Sequence, residues 1–159
     1  MTGARTAPRR PLTRAIYVLA AILAAASVWY VQAPPRSPET YHDRAVETVE
    51  ALRSQVQTAR IWVRSAEDGE TTREAATVGL REAEEDARKA ASTFEGYDPP
   101  EGTEDLRTRV SALATETTGA LARLRIATAQ EDWDELTRLA EPLPGLADRL
   151  AELDKAAKP

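Results

Sequence analysis

The chain contains no cysteine. Disulfides, thiolate metal sites and an anchor on a lipidated cysteine are thereby excluded. It has one histidine, His42, so no multi-histidine zinc or di-iron set can be assembled and no catalytic triad is signalled. There is no glycine-rich phosphate loop, no GxSxG elbow and no HExxH. Serine and threonine are common but lack an activating partner. The reading is of a protein that is not an enzyme and that takes no metal or cofactor.

Aromatic residues are scarce as well, with one Phe, four Tyr and three Trp, while alanine is the commonest residue at 30 of 159. That profile suits long packed helices and suits a sheet poorly, which predicts an all-α protein.

Acidic residues are missing before Glu39, whereas Arg5, Arg9, Arg10 and Arg14 fall in the first fourteen positions. Directly after them runs Ala15 to Val31, seventeen residues without a charge. At 1.5 Å per residue this run covers about 25 Å, and Leu12 to Ala33 covers about 33 Å, which brackets a hydrocarbon core of about 30 Å. Trp29 and Tyr30 mark one end as interfacial aromatics, and the arginines mark the other as cytoplasmic. The expected organisation is a basic cytoplasmic tail at 1–14 and a transmembrane signal-anchor at 15–33. The rest is then extracytoplasmic, at the cell membrane.

The alternative is a cleaved signal peptide cut at Ala24-Ala25-Ala26, which would leave the protein secreted. Cutting there exposes an apolar SVWYV terminus, which favours retention. Ala20 with Ala24, and Ala21 with Ala25, form small-xxx-small pairs through which two such membrane helices could touch.

The prolines of the 34–37 spacer deny continuation of the membrane helix. Residues 36 to 159 hold 17 basic and 26 acidic side chains, about −9 net. Such a balance argues against binding nucleic acid or an anionic lipid face.

Four helical segments follow over 38–157. Ser37-Pro38-Glu39 opens the first, with Ala45, Val49, Leu52, Val56, Ala59, Val63 and Ala66 repeating at steps of four and three. Thr71 to Glu74 reads as a capping box opening the second, whose seam is Ala76, Leu80, Ala83, Ala87, Ala90 and Phe94. Four of those six are alanine, so a facing helix must approach closely. Thr103 reads as a hydroxyl cap for the third, with a seam at Leu106, Val110, Leu113, Thr117, Ala120, Leu124 and Ala127. Leu121 and Ile126 widen that apolar face. Thr117, the one polar member, is expected to bond back to the preceding turn.

The fourth opens at Asp132 and is expected to bury Trp133, Leu136 and Ala140 before Pro142 and Pro144 kink or break it. Short connections and rods of about 39 to 43 Å predict an up-down-up-down four-helix bundle with coiled-coil-like seams.

His42 reads as a solvated surface residue. The acidic run Glu82, Glu84, Glu85 and Asp86 reads as a solvated face. The far tip carries Glu67, Asp68, Glu70, Glu131 and Asp132 in two adjacent loops, with Trp133 beside them as an interface anchor or as core. The functional expectation is a membrane-anchored extracytoplasmic bundle acting as a protein-interaction or structural component of the bacterial cell envelope. Its partner would be another envelope protein or a second copy. The alternative is an extracytoplasmic sensor signalling through a membrane partner.

Overall fold

The computed structural model describes residues 37–158, and all of their regular structure is helical. The tail at 1–14, the span at 15–33, the pairs Ala20 with Ala24 and Ala21 with Ala25, and the spacer up to Arg36 lie outside the described residues. Among the described residues no helix is long and apolar enough to cross a membrane.

The helices are α1 (Pro38–Glu67), α2 (Arg73–Glu95), α3 (Glu104–Ala129), α4 (Trp133–Ala140) and α5 (Leu143–Ala157). Helices α4 and α5 both pack on α1 and α3, and together they form the fourth side of the bundle.

Local chemistry explains the boundaries. At the start of α1 the Ser37 hydroxyl accepts from the Thr40 N–H at 3.3 Å, with Pro38 just inside. At its end Gly69 takes φ +70°, and the N–H groups of Gly69 and Glu70 return to the Ala66 and Ser65 carbonyls at 3.2 and 2.8 Å. This is a Schellman closure, for which glycine carries no Cβ penalty. The cap of α2 is Thr72 rather than Thr71, since its hydroxyl accepts from the Ala75 N–H at 3.2 Å. Glu74 therefore sits one place short of the capping-box position and pairs with Arg73 at 2.6 Å instead. The Thr103 hydroxyl caps nothing in α3 and donates to the Pro100 carbonyl at 2.7 Å. The break expected in the fourth segment falls at Glu141 and Pro142, while Pro144 lies in the first turn of α5, where its missing N–H is harmless.

Contacts between helix ends give the topology. The Tyr41 and Phe94 rings lie 5.2 Å apart, and His42 Nδ1 lies 3.1 Å from the Ala157 carbonyl oxygen. The start of α1 thus meets the ends of α2 and α5. At the other end Arg73 pairs with Glu131, and the Thr137 hydroxyl donates to Glu67 at 2.7 Å. Neighbouring helices are therefore antiparallel. We call the end holding Ser37 the base and the end holding Gly69 the tip.

The α1 seam is buried from Ala45 to Val63 and extends one step further to Tyr41, while Ala66 is only half-buried. In α2 the seam is buried except at Ala90, which is half-buried. In α3 the buried row is broader than the seam. Val110, Thr117, Ala120, Leu124 and Ala127 are buried as expected, with Leu121 beside them, and Ala114 and Thr128 join them, while Leu106 and Leu113 are half-buried and Ile126 is exposed. Because α3 faces α2, the fourth side and, diagonally, α1, its inner arc is centred between the neighbours rather than on one seam.

Thr117 also departs from expectation, since its hydroxyl is buried without a partner instead of bonding back a turn. His42 is half-buried against the last turn of α5, not free in solvent.

Candidate functional site

The acidic run of α2 does not behave as one solvated face. Glu82, Glu85 and Asp86 are exposed, but Glu84 is only 5% exposed. Its carboxylate accepts from Arg125 Nε at 2.7 Å and from Arg88, tying α2 to α3. Among the described residues no group of three or more His, Asp or Glu side chains is placed to hold a metal ion.

Of the tip residues singled out above, all six are exposed, and two loops bring them together. They are not equivalent. Asp132 is engaged as the cap of α4, accepting from the Glu135 N–H at 3.0 Å. Glu67 holds the Thr137 hydroxyl, and Glu131 is paired with Arg73. Arg73 also holds Glu74 and, through that hydrogen bond, keeps the Glu74 carboxyl below its ordinary pKa. Glu67, Asp68, Glu70 and Asp132 are all without a salt-bridge partner among the described residues and so carry the negative charge of the tip, Asp68 and Glu70 without any side-chain hydrogen bond as well.

Glu131 itself has φ +58°, the left-handed position a glycine usually fills at a helix end. Its N–H and that of Asp132 return to the Thr128 and Ala127 carbonyls at 3.2 and 3.1 Å, so α3 closes like α1 but without the glycine.

Trp133 was expected on the apolar stripe of its helix, yet it is 42% exposed. It is the first residue of α4, directly after the turn that ends α3, and Leu136 supplies the burial one turn later. Among the described residues the other exposed large apolar side chains are Ile61, Val78 and Ile126. By helical rise Ile61 lies about 9 Å before the end of α1, Val78 about 7.5 Å after the start of α2 and Ile126 about 4.5 Å before the end of α3. All four therefore collect at the tip.

Ile61 and Val78 are related more closely. Trp62 packs over Gly79, where a Cβ would fall inside the indole ring. On antiparallel helices the residues preceding such a pair turn to the same side, so Ile61 and Val78 share the outer face of α1 and α2. Sequence reasoning passed over both residues, although each lies off its seam and so carried the signal.

Comparison of the chain with protein-family models, curated proteins and solved structures found no match.

Proposed function

We propose that the protein is a single-pass membrane-anchored extracytoplasmic bundle, serving as a protein-interaction or structural component of the cell envelope and meeting its partner at the tip. The grouping of the exposed large apolar side chains at one end carries the reading. They stand on four different helices, so what they share is one end of the bundle rather than a continuous patch, and apolar side chains set among charged loops suit a docking site there. Their end is the one opposite Ser37, the residue at which the expected anchor and spacer join the bundle. The sensor alternative has no observation in its favour beyond the bundle itself.

Topology is checked by single cysteines probed with an impermeant thiol reagent in intact cells. A cysteine at Thr2 should stay unlabelled and one at Glu101 should react. Glu101 serves better than Gly102, whose φ of +85° strains any L side chain. Labelling at Thr2 alone would reverse the orientation.

The tip is checked separately through Trp133. Trp133→Ala should cost no more than about 2 kcal/mol, below the about 3 to 5 kcal/mol of a fully buried tryptophan. It should also abolish the adduct that a photoreactive residue at Asp134 forms in cells, while the same group at Glu101 forms none. A large loss of stability would return Trp133 to the core and remove it from the site.

A further inference from the structure

Ion pairing on this surface is uneven. Six of the nine arginines on the other helices find a carboxylate within 4 Å, the exceptions being Arg107, Arg109 and Arg123 of α3, whereas on α1 Arg44 pairs with Glu47 and none of Arg53, Arg60 and Arg64 is paired among the described residues. This is unexpected where 26 acids face 17 bases. With 3.6 residues per turn, positions 53, 57, 60 and 64 fall within an arc of about 60° over about 16 Å of helix. The three guanidinium groups thus form one stripe, and Gln57 within it accepts from Arg60 Nη1 at 3.0 Å.

That stripe borders a groove. Where the fourth side breaks at Pro142, a cavity of about 330 Å³ opens between α1 and the α4–α5 junction. Arg60 and Arg64 line it together with the apolar Ile61, Ala140 and Pro144, and Ile61 is 67% exposed. Glu67 closes the tip end of the groove, with its carboxylate held by Thr137. Toward the base, Gln57 also lines an adjoining depression bordered by Arg53.

We propose that this groove binds an acidic peptide segment of a partner protein, with carboxylates on Arg53, Arg60 and Arg64 and an apolar side chain against Ile61, Ala140 and Pro144. Guanidinium groups pair with carboxylates through geometrically matched hydrogen bonds, and the two carboxylates that flank the stripe are engaged elsewhere, Glu67 by the Thr137 hydroxyl and Glu50 by Lys158 at 3.3 Å. A single small anion cannot reach three arginines spread over about 16 Å, which calls for a chain of anions. The apolar wall calls for a side chain that a polyphosphate lacks. Glu67 at the tip end and Glu50 beyond Arg53 both repel carboxylates, so the acidic stretch lies between them, along Arg60 and Arg53.

The inference deepens the proposed role in protein interaction by naming the partner's chemistry. Peptide binding by the purified chain is independent of topology, so its failure and a failure of the cysteine labelling are distinct results.

The test uses the full chain in a neutral detergent and a fluorescein-labelled peptide of glutamate with interspersed leucine, followed by anisotropy. Binding should weaken with salt, and Arg60→Glu with Arg64→Glu should reduce affinity by about tenfold or more. Lys89→Glu with Lys155→Glu, which changes the net charge equally away from the groove, should leave it unchanged. Peptides with glutamine in place of glutamate, or of leucine, should both bind more weakly. Arg60→Gln with Arg64→Gln gives a smaller loss in the same direction and serves if the double reversal does not fold.

Absence of binding overturns the proposal, as does equal weakening by the lysine reversals. Inorganic polyphosphate competing fully while leucine proves dispensable would assign the stripe to a polyanion instead. Self-association of the chain that the arginine reversals abolish would assign it to a second copy.

Discussion

Replacing Phe94 by alanine is expected to lower the unfolding free energy by about 3 to 5 kcal/mol, the usual cost of emptying a buried phenylalanine site. Phe94 is 1% exposed and is the only phenylalanine in the chain. Its ring lies against Tyr41, tilted by 42°, at the base where the start of α1 meets the end of α2. The upstream seam of α2 offers mostly alanine, so little neighbouring bulk can relax into the space. Tyr41 cannot readily shift to fill it either, because it is fully buried and its phenol oxygen already lacks a partner. Burial, countered only in part by the charge of Arg107, raises the Tyr41 pKa, so the ring stays neutral under ordinary conditions. Urea unfolding of the variant measures the effect. A loss below about 1 kcal/mol would mean that the base collapses easily and that this ring pair does not anchor α1 to α2.

The second large effect is expected at Arg125. Truncation to alanine should cost about 1 to 3 kcal/mol near neutral pH, less than for a fully buried pair because Arg125 is 31% exposed and Arg88 remains on Glu84. The distinguishing readout is the dependence on pH. Burial pushes the Glu84 carboxyl up, but the hydrogen bonds from Arg125 and Arg88, with their charges, more than reverse this and hold it below its ordinary value of 4.5. A carboxyl depressed in the folded state stabilises the fold above its unfolded pKa and loses that contribution as the pH falls through its folded pKa. In the variant, burial is opposed by Arg88 alone. The Arg125→Ala protein has less of this contribution to lose, so the stability gap between parent and variant should shrink as the pH falls below the ordinary carboxylate range. Stability profiles that differ only by a constant offset would show that Arg125 acts by packing rather than through the Glu84 charge.

Much of the bundle was legible in the sequence. The Ser37-Pro38-Glu39 start, the glycine after α1, the 4-3 rows of α1 and α2, and the interruption at Pro142 are all present as local patterns. Each depends only on residues within a turn or two, where the chain's own 3.6-residue period decides who sits beside whom. The tip loops were legible for the same reason, since rods of similar length joined by short connections return to the same end.

Placement relative to other helices could not be read in this way. Nothing in the Glu82 to Asp86 run distinguishes Glu84 from its neighbours until α3 sets Arg125 against it. Trp133 and Ile126 have apolar character suited to a core, yet at the tip no helix covers them. Thr117 is buried as its row requires, but its hydroxyl is left without a partner, which its position in the row does not foretell. The arginine stripe of α1 went unread in the sequence, since its spacing is one of many on an exposed helix face, and the groove beside it opens where the fourth side breaks opposite Arg60 and Arg64. Helix positions and ends were thus determined by interactions local in the chain. Burial, charge pairing and the open groove were decided by long-range packing, which no single helix's period encodes.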